Sequence, residues 1–263
     1  MTSPFSLHGK RALVTGGTRG IGAAVSRLLA ECGASVCVGY RSRKPDADAL
    51  LVKLAIIAEE AKAGGRVASF AADLGSASGA AALVTHAEHE LGGLDICVHS
   101  AGIWPVEEAA VNVMDDARWA RTMRENLDAT FFVARAAARA MLAGGSTGRI
   151  VLVSSTAGQR GEPMHADYAA SKGAMIAFVK SMAVELAPHG ITVNSVAPGW
   201  VDTEMCEEPF AGDGRERIAK GIPVGRIATA ADVAFPIVAL CFDGARHVTG
   251  EIVNVNGGSV LCG

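Results

Sequence analysis

A short apolar run, Arg11–Thr15, breaks into the turn Thr15-Gly16-Gly17-Thr18-Arg19-Gly20-Ile21-Gly22, and an amphipathic helical pattern over Ile21–Cys32 begins at once. Few arrangements satisfy a strand, a glycine turn and a helix in immediate succession. Glycines there permit a tight turn, close packing of helix on sheet, and close approach of a pyrophosphate to backbone N–H groups at a helix amino terminus. The spacing Gly-x-x-x-Gly-x-Gly departs from the commoner Gly-x-Gly-x-x-Gly, so the strand–turn–helix context carries the dinucleotide reading against that of a purely structural turn.

The rest of the chain alternates in the same manner. Strand patterns fall at Ser35–Tyr40, Arg66–Ala71, Leu94–His99, Arg149–Ser154, Ile191–Ala197 and Glu251–Val255. Helical patterns fall at Asp48–Ala63, Ala77–Leu91, Asp116–Ala143, His165–Ala187 and Ala230–Phe242. Strands separated by helices of this length imply a parallel sheet covered on both faces, and right-handed crossovers then give a doubly wound α/β (Rossmann) fold of about seven strands. Half of the 263 residues are hydrophobic, enough for one sizeable core, and neither repeat nor linker interrupts them. One domain over residues 1–263 is expected. Gly144–Gly148 reads as a turn. Pro209–Gly214, irregular and following Pro198-Gly199, reads either as a mobile lid over a site or as an ordinary surface loop.

A net charge of -3, without a basic arm, weighs against nucleic-acid or anionic-membrane partners. Met1–Lys10 lacks a secretory pattern, and no run reaches the roughly 18 apolar residues that span a bilayer, so a cytoplasmic protein is expected. Cys32, Cys37, Cys97, Cys206, Cys241 and Cys262 form no Cys-x-x-Cys pair and read as reduced small hydrophobes. The seven histidines show no metal-type spacing, so no metal is expected.

Chemistry is concentrated in Ser154–Lys172. Ser155 follows a buried strand pattern, and Tyr168 and Lys172 stand four apart on one helical face. An alcohol, a phenol and an ammonium held together can move a proton to or from an oxygen. A free phenol titrates near pH 10, and a neighbouring cation favours its phenolate, so Lys172 is expected to pull Tyr168 towards neutrality. An ordinary helix pair is the alternative.

For the nucleotide, an acid about 20 positions beyond the glycine turn would grip a free ribose 2′-hydroxyl. That place holds Tyr40, Arg41 and Ser42, with no acid before Asp46, and Arg19 lies in the turn itself. Guanidiniums suit a 2′-phosphate, which favours NADP(H) over NAD(H); solvent-facing Arg41 and Arg43 are the alternative. Asp73 could bond the adenine amino group or cap the helix that follows. Asn126, a poor helix former inside a long helix, could mark a local break holding a water or be a satisfied surface amide.

These residues together carry a family likeness. The run at 15–22, Asp73-Leu74, Ala101-Gly102, Asn126, Ser155, Tyr168-x-x-x-Lys172, Pro198-Gly199 and the closing Val255-Asn256-Gly257-Gly258 occur in the order of a short-chain dehydrogenase/reductase. The chain resembles that family over nearly its whole length. The resemblance implies that Tyr168 is the general acid in reduction, Ser155 orients the carbonyl, and Lys172 lowers the phenol pKa and binds the nicotinamide ribose. It also implies that Asn126 holds a water of the proton relay. Gly16, Thr18, Gly20, Ile21 and Gly22 would take the phosphates. Leu74, Ser100, Ala101 and Gly102 would be further cofactor contacts, and Pro198, Gly199, Val201 and Thr203 would hold the carboxamide end. Trp104, Glu162, Met164, Trp200 and Met205–Phe210 are candidate pocket walls.

The family is commonly tetrameric, and Phe131, Phe132, Met141, Met175, Phe178 and Met182 could supply an interface or belong to the core. The run Gly190–Gly199 and the chain's ending resemble the β-ketoacyl-(acyl-carrier-protein) reductases most. Two departures stand out. His99-Ser100-Ala101-Gly102 replaces Asn-Asn-Ala-Gly, and Ser146 and His189 stand where carrier-docking basic residues are found. The expected function is NADPH-dependent reduction of a ketone to a secondary alcohol, the substrate a 3-oxoacyl thioester on carrier protein or coenzyme A, or a free ketone. An NAD-dependent alcohol or sugar dehydrogenase is the alternative. A non-catalytic dinucleotide sensor is a distant third.

Overall fold

Seven parallel strands form one sheet in the computed structural model, which describes residues 5–61 and 64–261. They are β1 (Arg11–Thr15), β2 (Ser35–Tyr40), β3 (Val67–Ala71), β4 (Ile96–His99), β5 (Arg149–Val153), β6 (Thr192–Pro198) and β7 (Ile252–Val255). Their order is β3-β2-β1-β4-β5-β6-β7. Thr15 stands level with Gly39 on one side and His99 on the other, so β1, β2 and β4 end together. The chain leaves β1 in opposite directions at that point, which opens a crevice at the carboxyl ends of the strands.

Along each central strand the side chains alternate between two cores. Ala12, Val14, Val36, Val38, Val98 and Val151 face α1 (Gly20–Glu31), α2 (Lys44–Glu60) and, near the chain's end, a helix over Ala230–Ala239. Leu13, Cys37, Cys97, Ile150 and Leu152 face α3 (Ala77–Leu91) and the long helices that follow. Burial on both faces explains why β5 reads as a continuous apolar run from Ile150 to Val153.

Local chemistry moves several boundaries. α2 starts at Lys44 because Pro45 sits in its first turn, where a missing N–H is no loss, and Lys44 pairs with Asp48 at 2.7 Å. It ends at Glu60; Lys62 and Ala63 lie outside the described residues. The expected long helix is three pieces: α4 (Asp116–Thr122), a π-helical segment (Met123–Asp128) and α5 (Ala129–Ala143). A four-residue helix, α6 (Ala157–Arg160), precedes α7 (Ala166–Leu186). A 3-10 turn (Glu204–Cys206) and α8 (Gly214–Lys220) precede α9 (Ala230–Ala239). Pro209–Gly214 is anchored, since Phe210 is buried in a small cluster with Ile222 and Ile227, packed against Trp200. Thr229 and Asp232 form a reciprocal cap at the start of α9, which ends three residues short of the expected Phe242.

Met141, Met175 and Met182 are buried core residues, whereas Phe131 is 40% exposed. Core packing therefore accounts for the methionines of the expected interface. The five described cysteines are free, with Cys37, Cys97 and Cys241 buried; Cys262 lies outside the described residues. Among the described residues no helix is long and apolar enough to cross a membrane, and no His/Cys/Asp/Glu group could hold a metal ion.

Candidate active site

β5 delivers two serines to the crevice with different fates. Ser154 is buried, donating to the Val196 carbonyl (3.2 Å) and accepting from Ser195 Oγ (2.7 Å), so the sheet consumes it. Ser155 lines the cavity; its Oγ accepts the Ala157 N–H at 3.1 Å and hydrogen-bonds the Tyr168 phenol. Tyr168 and Lys172, one turn apart on α7, are 8% and 5% exposed. Lys172 Nζ donates to the Val153 carbonyl at 2.9 Å and stands 5.7 Å from the centre of the Tyr168 ring.

Burial decides the protonation of this pair. It pushes the Tyr168 phenol up to about 12, with the Ser155 hydrogen bond pulling the other way and Cys206 and Glu162 adding to the rise. It also pushes Lys172 down to about 8. The expectation that Lys172 brings the phenol towards neutrality is therefore corrected: desolvation sets the direction, and the ammonium is given to the Val153 carbonyl. At neutral pH the phenol keeps its proton and the lysine is mostly charged.

Asn126 sits in the π segment and is fully buried, which overturns the surface-amide alternative. Its Oδ1 accepts the Ile103 N–H at 2.7 Å, and its Nδ2 donates to the Ile103 carbonyl (3.1 Å) and to Ser171 Oγ (3.2 Å). The break in the helix was legible; its use as a staple between the loop after β4 and α7 was not. His99, in the departing motif, is likewise buried. Its Nδ1 lies 2.8 Å from Thr15 Oγ1, which also accepts the Ala101 N–H at 3.3 Å, so β1 and β4 remain tied. Burial, and then the charge of Lys172, push its pKa down to about 3, leaving a neutral ring.

At the glycine turn, Gly16 and Gly20 take positive φ (61° and 49°). A Cβ on Gly16 would stand 2.9 Å from Ala101 Cα, and one on Gly22 would stand 2.2 Å from the Gly16 carbonyl oxygen. Arg19, at the N-cap of α1, supplies no side-chain acceptor to the first-turn N–H groups, and no acid occupies that turn. Unsatisfied donors at a helix amino terminus beside a glycine cradle fit a pyrophosphate. The adjoining cleft, about 540 Å³, brings together Gly16, Thr18, Arg19, Gly20 and Ile21 with Tyr40, Arg41, Ser42, Leu74, Ser100, Ala101, Gly102 and Thr203.

Several expected contacts are outside it. Gly22 is packed beneath the turn. Asp73 is not the helix cap, because Ser76 is; its carboxylate pairs with Arg124 and accepts the Gly75 N–H at 3.1 Å. Pro198, Gly199 and Val201 instead wall the second cavity, about 120 Å³, with Ile21, Ser155, Tyr168 and Lys172.

The arginines do not stand free. Arg41 pairs with Glu125 at 2.5 Å, while Arg19 and Arg43 share Glu204, with Asp46 at 4.0 and 3.7 Å. These carboxylates come from three distant segments, and none was foreseen as a partner.

Trp104 stacks on His165 (centroids 4.0 Å apart), meets Tyr168 edge-on at 4.7 Å and lies 6.3 Å from Trp200. Trp104, Glu162, Trp200, Met205 and Cys206 wall the small cavity as expected, and Arg160, which pairs with Glu162 at 2.9 Å, joins them unforeseen. Met164 and Phe210 do not line it. Met164 has a left-handed backbone (φ 66°), and its carbonyl accepts from Ala109 N–H (3.0 Å) and Arg118 Nη2 (3.2 Å). Arg118 also meets fully buried Asp167 at 3.1 Å, directly before Tyr168. Burial raises the Asp167 pKa, but hydrogen bonds from Arg118 and Thr122 outweigh it and hold the carboxyl below its ordinary range.

The chain is similar over nearly its whole length to known proteins. Residues 16–259 match the family profile described as enoyl-(acyl carrier protein) reductase. The chain is 37% identical over 257 residues to nodulation protein G of Rhizobium meliloti, covering 98% of this chain and 99% of that one. It is 35% identical over 257 residues to the 3-oxoacyl-[acyl-carrier-protein] reductase FabG of Vibrio cholerae, covering 98% and 100%. A solved Agrobacterium tumefaciens structure, described as a candidate 2-deoxy-D-gluconate 3-dehydrogenase with bound NADP, superposes with a TM-score of 0.85 at 33% identity, over 98% of this chain and 99% of that one.

Proposed function

The chain belongs to the short-chain dehydrogenase/reductase family of NAD(P)-dependent oxidoreductases, close to the 3-oxoacyl-carrier-protein reductases, and from that premise we propose that it reduces a ketone to a secondary alcohol with NADPH. The observation that carries this is the Tyr168 phenol: buried, protonated at neutral pH, hydrogen-bonded to Ser155, and in one cavity with Ile21 of the glycine turn.

A phenol that holds its proton is poised to give it to an oxygen on which negative charge develops, which is the requirement of the reductive direction. Ser155, within reach of the same oxygen, donates a second hydrogen bond and orients the carbonyl. Lys172 holds positive charge beneath the site, where developing negative charge is stabilised most strongly in a dry cavity. Asn126 fixes Ile103 and Ser171 around them. When bound, the reduced nicotinamide supplies the hydride. The unsatisfied N–H groups of the first turn of α1 take the pyrophosphate, and Arg19, Arg41, Ser42 and Arg43 receive the 2′-phosphate, in line with the NADP bound in the Agrobacterium relative.

Ser146 Oγ donates to Asp95 at 2.6 Å, so this side chain is already engaged where a carrier-docking cation would stand. That favours a coenzyme A thioester or a free ketone over a carrier-bound chain. A second reading, an NAD-dependent alcohol or sugar dehydrogenase, draws on the carboxylates of Asp46 and Glu204 at the nucleotide rim, since a carboxylate accepts from a free ribose 2′-hydroxyl. Exposed Phe131, Val184 and Phe235 support assembly as a homotetramer, and the free cysteines support a reducing, cytoplasmic setting. Oxidation of NADPH and of NADH is to be followed with acetoacetyl-coenzyme A, acetoacetyl-carrier protein and cyclic ketones. A panel in which no ketone consumes NADPH rejects the proposal, and faster consumption of NADH selects the second reading.

A further inference from the structure

Glu204 occupies an unusual place. It opens the 3-10 turn that follows β6, and its neighbours Met205 and Cys206 wall the reaction cavity. Yet its carboxylate reaches back to the other end of the crevice, where Oε2 meets Arg19 Nη1 and, at 3.3 Å, Arg43 Nη1. The backbone explains the reach: Thr203 sits against the glycine turn, its Cγ2 3.1 Å from where a Cβ of Gly20 would be. Asp46 also faces the two arginines, at 4.0 and 3.7 Å, but it belongs to the first turn of α2, so its chain position is fixed by the helix. Glu204 is the closer anion, and the one on a short turn.

We propose that Glu204 determines nucleotide selectivity, by holding between Arg19 and Arg43 the place that a 2′-phosphate takes. The proposal rests on the reading that these arginines receive that phosphate. A carboxylate and a phosphate dianion cannot share two guanidiniums without strong like-charge repulsion, so a 2′-phosphorylated nucleotide binds only as Glu204 gives up its pairs. A ribose bearing a free 2′-hydroxyl meets no such competition, since the hydroxyl can donate to a carboxylate. Glu204 thus narrows the gap between the two nucleotides. Both pairs are about half exposed (side chains 43%, 58% and 50%), where ion pairs are weak and screened, so the effect is several-fold.

The test is titration calorimetry of the full chain with adenosine 2′,5′-bisphosphate and with 5′-AMP, on the wild type, Glu204→Gln and Glu207→Gln. Glu207 lines the same cleft and forms no ion pair with a described residue, so its variant removes equal charge without freeing an arginine. Glu204→Gln is expected to tighten the bisphosphate by roughly three- to tenfold, where tenfold corresponds to about 1.4 kcal/mol, and to leave 5′-AMP within about twofold. Glu207→Gln is expected to change neither beyond about twofold. Equal tightening by Glu207→Gln, or an unchanged bisphosphate affinity in Glu204→Gln, overturns the proposal. The wild-type row separately tests the reading beneath it. A wild type without preference whose Glu204→Gln variant prefers the bisphosphate supports the proposal and removes the NADP(H) preference of the natural chain; 5′-AMP preferred by both, with the bisphosphate affinity unchanged by the substitution, overturns the two together.

Discussion

The two ends of the crevice use the same ionisable groups in opposite ways. At the catalytic end Tyr168 and Lys172 are almost wholly buried, each hydrogen-bonded inside the protein, and loss of water shifts their pKa values in opposite directions. At the nucleotide end Arg19, Arg41 and Arg43 are 43% to 58% exposed, and each is paired with a carboxylate. Burial fixes proton affinity and position, which suits a group that must give up one proton at one atom. Exposure keeps each pair weak, which suits groups that must exchange one anion for another.

The contrast breaks most directly at Tyr168. Tyr168→Phe is expected to lower turnover by roughly 10²- to 10⁴-fold while leaving 5′-AMP affinity within about twofold. Retained turnover, or nucleotide affinity lost in parallel, would merge the two ends. Next comes pH. Reduction requires charged Lys172 and protonated Tyr168, so the rate is expected to fall through an apparent pKa of about 8 from the lysine, with the loss from the phenol delayed to about 12.

Stability gives an independent check of sign. The folded pKa of Lys172 lies below its ordinary 10.5, so the unfolded chain binds more protons between about pH 8 and 10.5, and this residue makes stability rise over that window. Tyr168 acts oppositely: its folded pKa of about 12 exceeds the ordinary 10.0, so stability falls above pH 10. Urea unfolding across pH 7 to 10 should show the rise in the wild type and its absence in Lys172→Met.

A smaller effect comes from Asn126→Ala, which leaves the partly buried Ile103 N–H without its partner. A loss of about 1–3 kcal/mol in urea unfolding is expected, with reduced turnover; an unchanged unfolding midpoint would show that the staple is dispensable. Smallest is salt. Raising it from about 0.1 to about 1 M shortens the screening length from about 10 to 3 Å, which should weaken NADPH binding several-fold and move the catalytic pKa little. Equal sensitivity at both ends would sink the contrast.

The sequence was most readable where backbone requirements force residue choice. Gly16 and Gly20 need positive φ and Gly22 has no room for a Cβ, so the turn announced itself. Asn126 betrayed a helix break because it is a poor helix former. It did not betray its partner, since Ile103 and Ser171 converge only in three dimensions. The same holds for Asp46, Glu125 and Glu204, brought to the arginines from α2, the π segment and the turn after β6. α7 is apolar around much of its circumference, so its period could not separate buried Met175 from exposed Val184. The pKa of Tyr168 was misjudged because spacing reveals a neighbouring charge but not the depth of burial that opposes it.

The π segment Met123–Asp128 sets the rotational phase of everything before it. Its wider turn holds one residue more than a regular helix would, and Thr130 Oγ1 takes up the displaced Asn126 carbonyl at 2.6 Å. Each residue advances a helix by about 100°, so shortening this stretch by one would swing α4 a quarter-turn or more against α5. Arg118 would then face away from Asp167, and the footing immediately beneath the phenol would lose its cation. The surplus residue is thus a spacer that lets a single rod of chain address two unrelated surfaces at once.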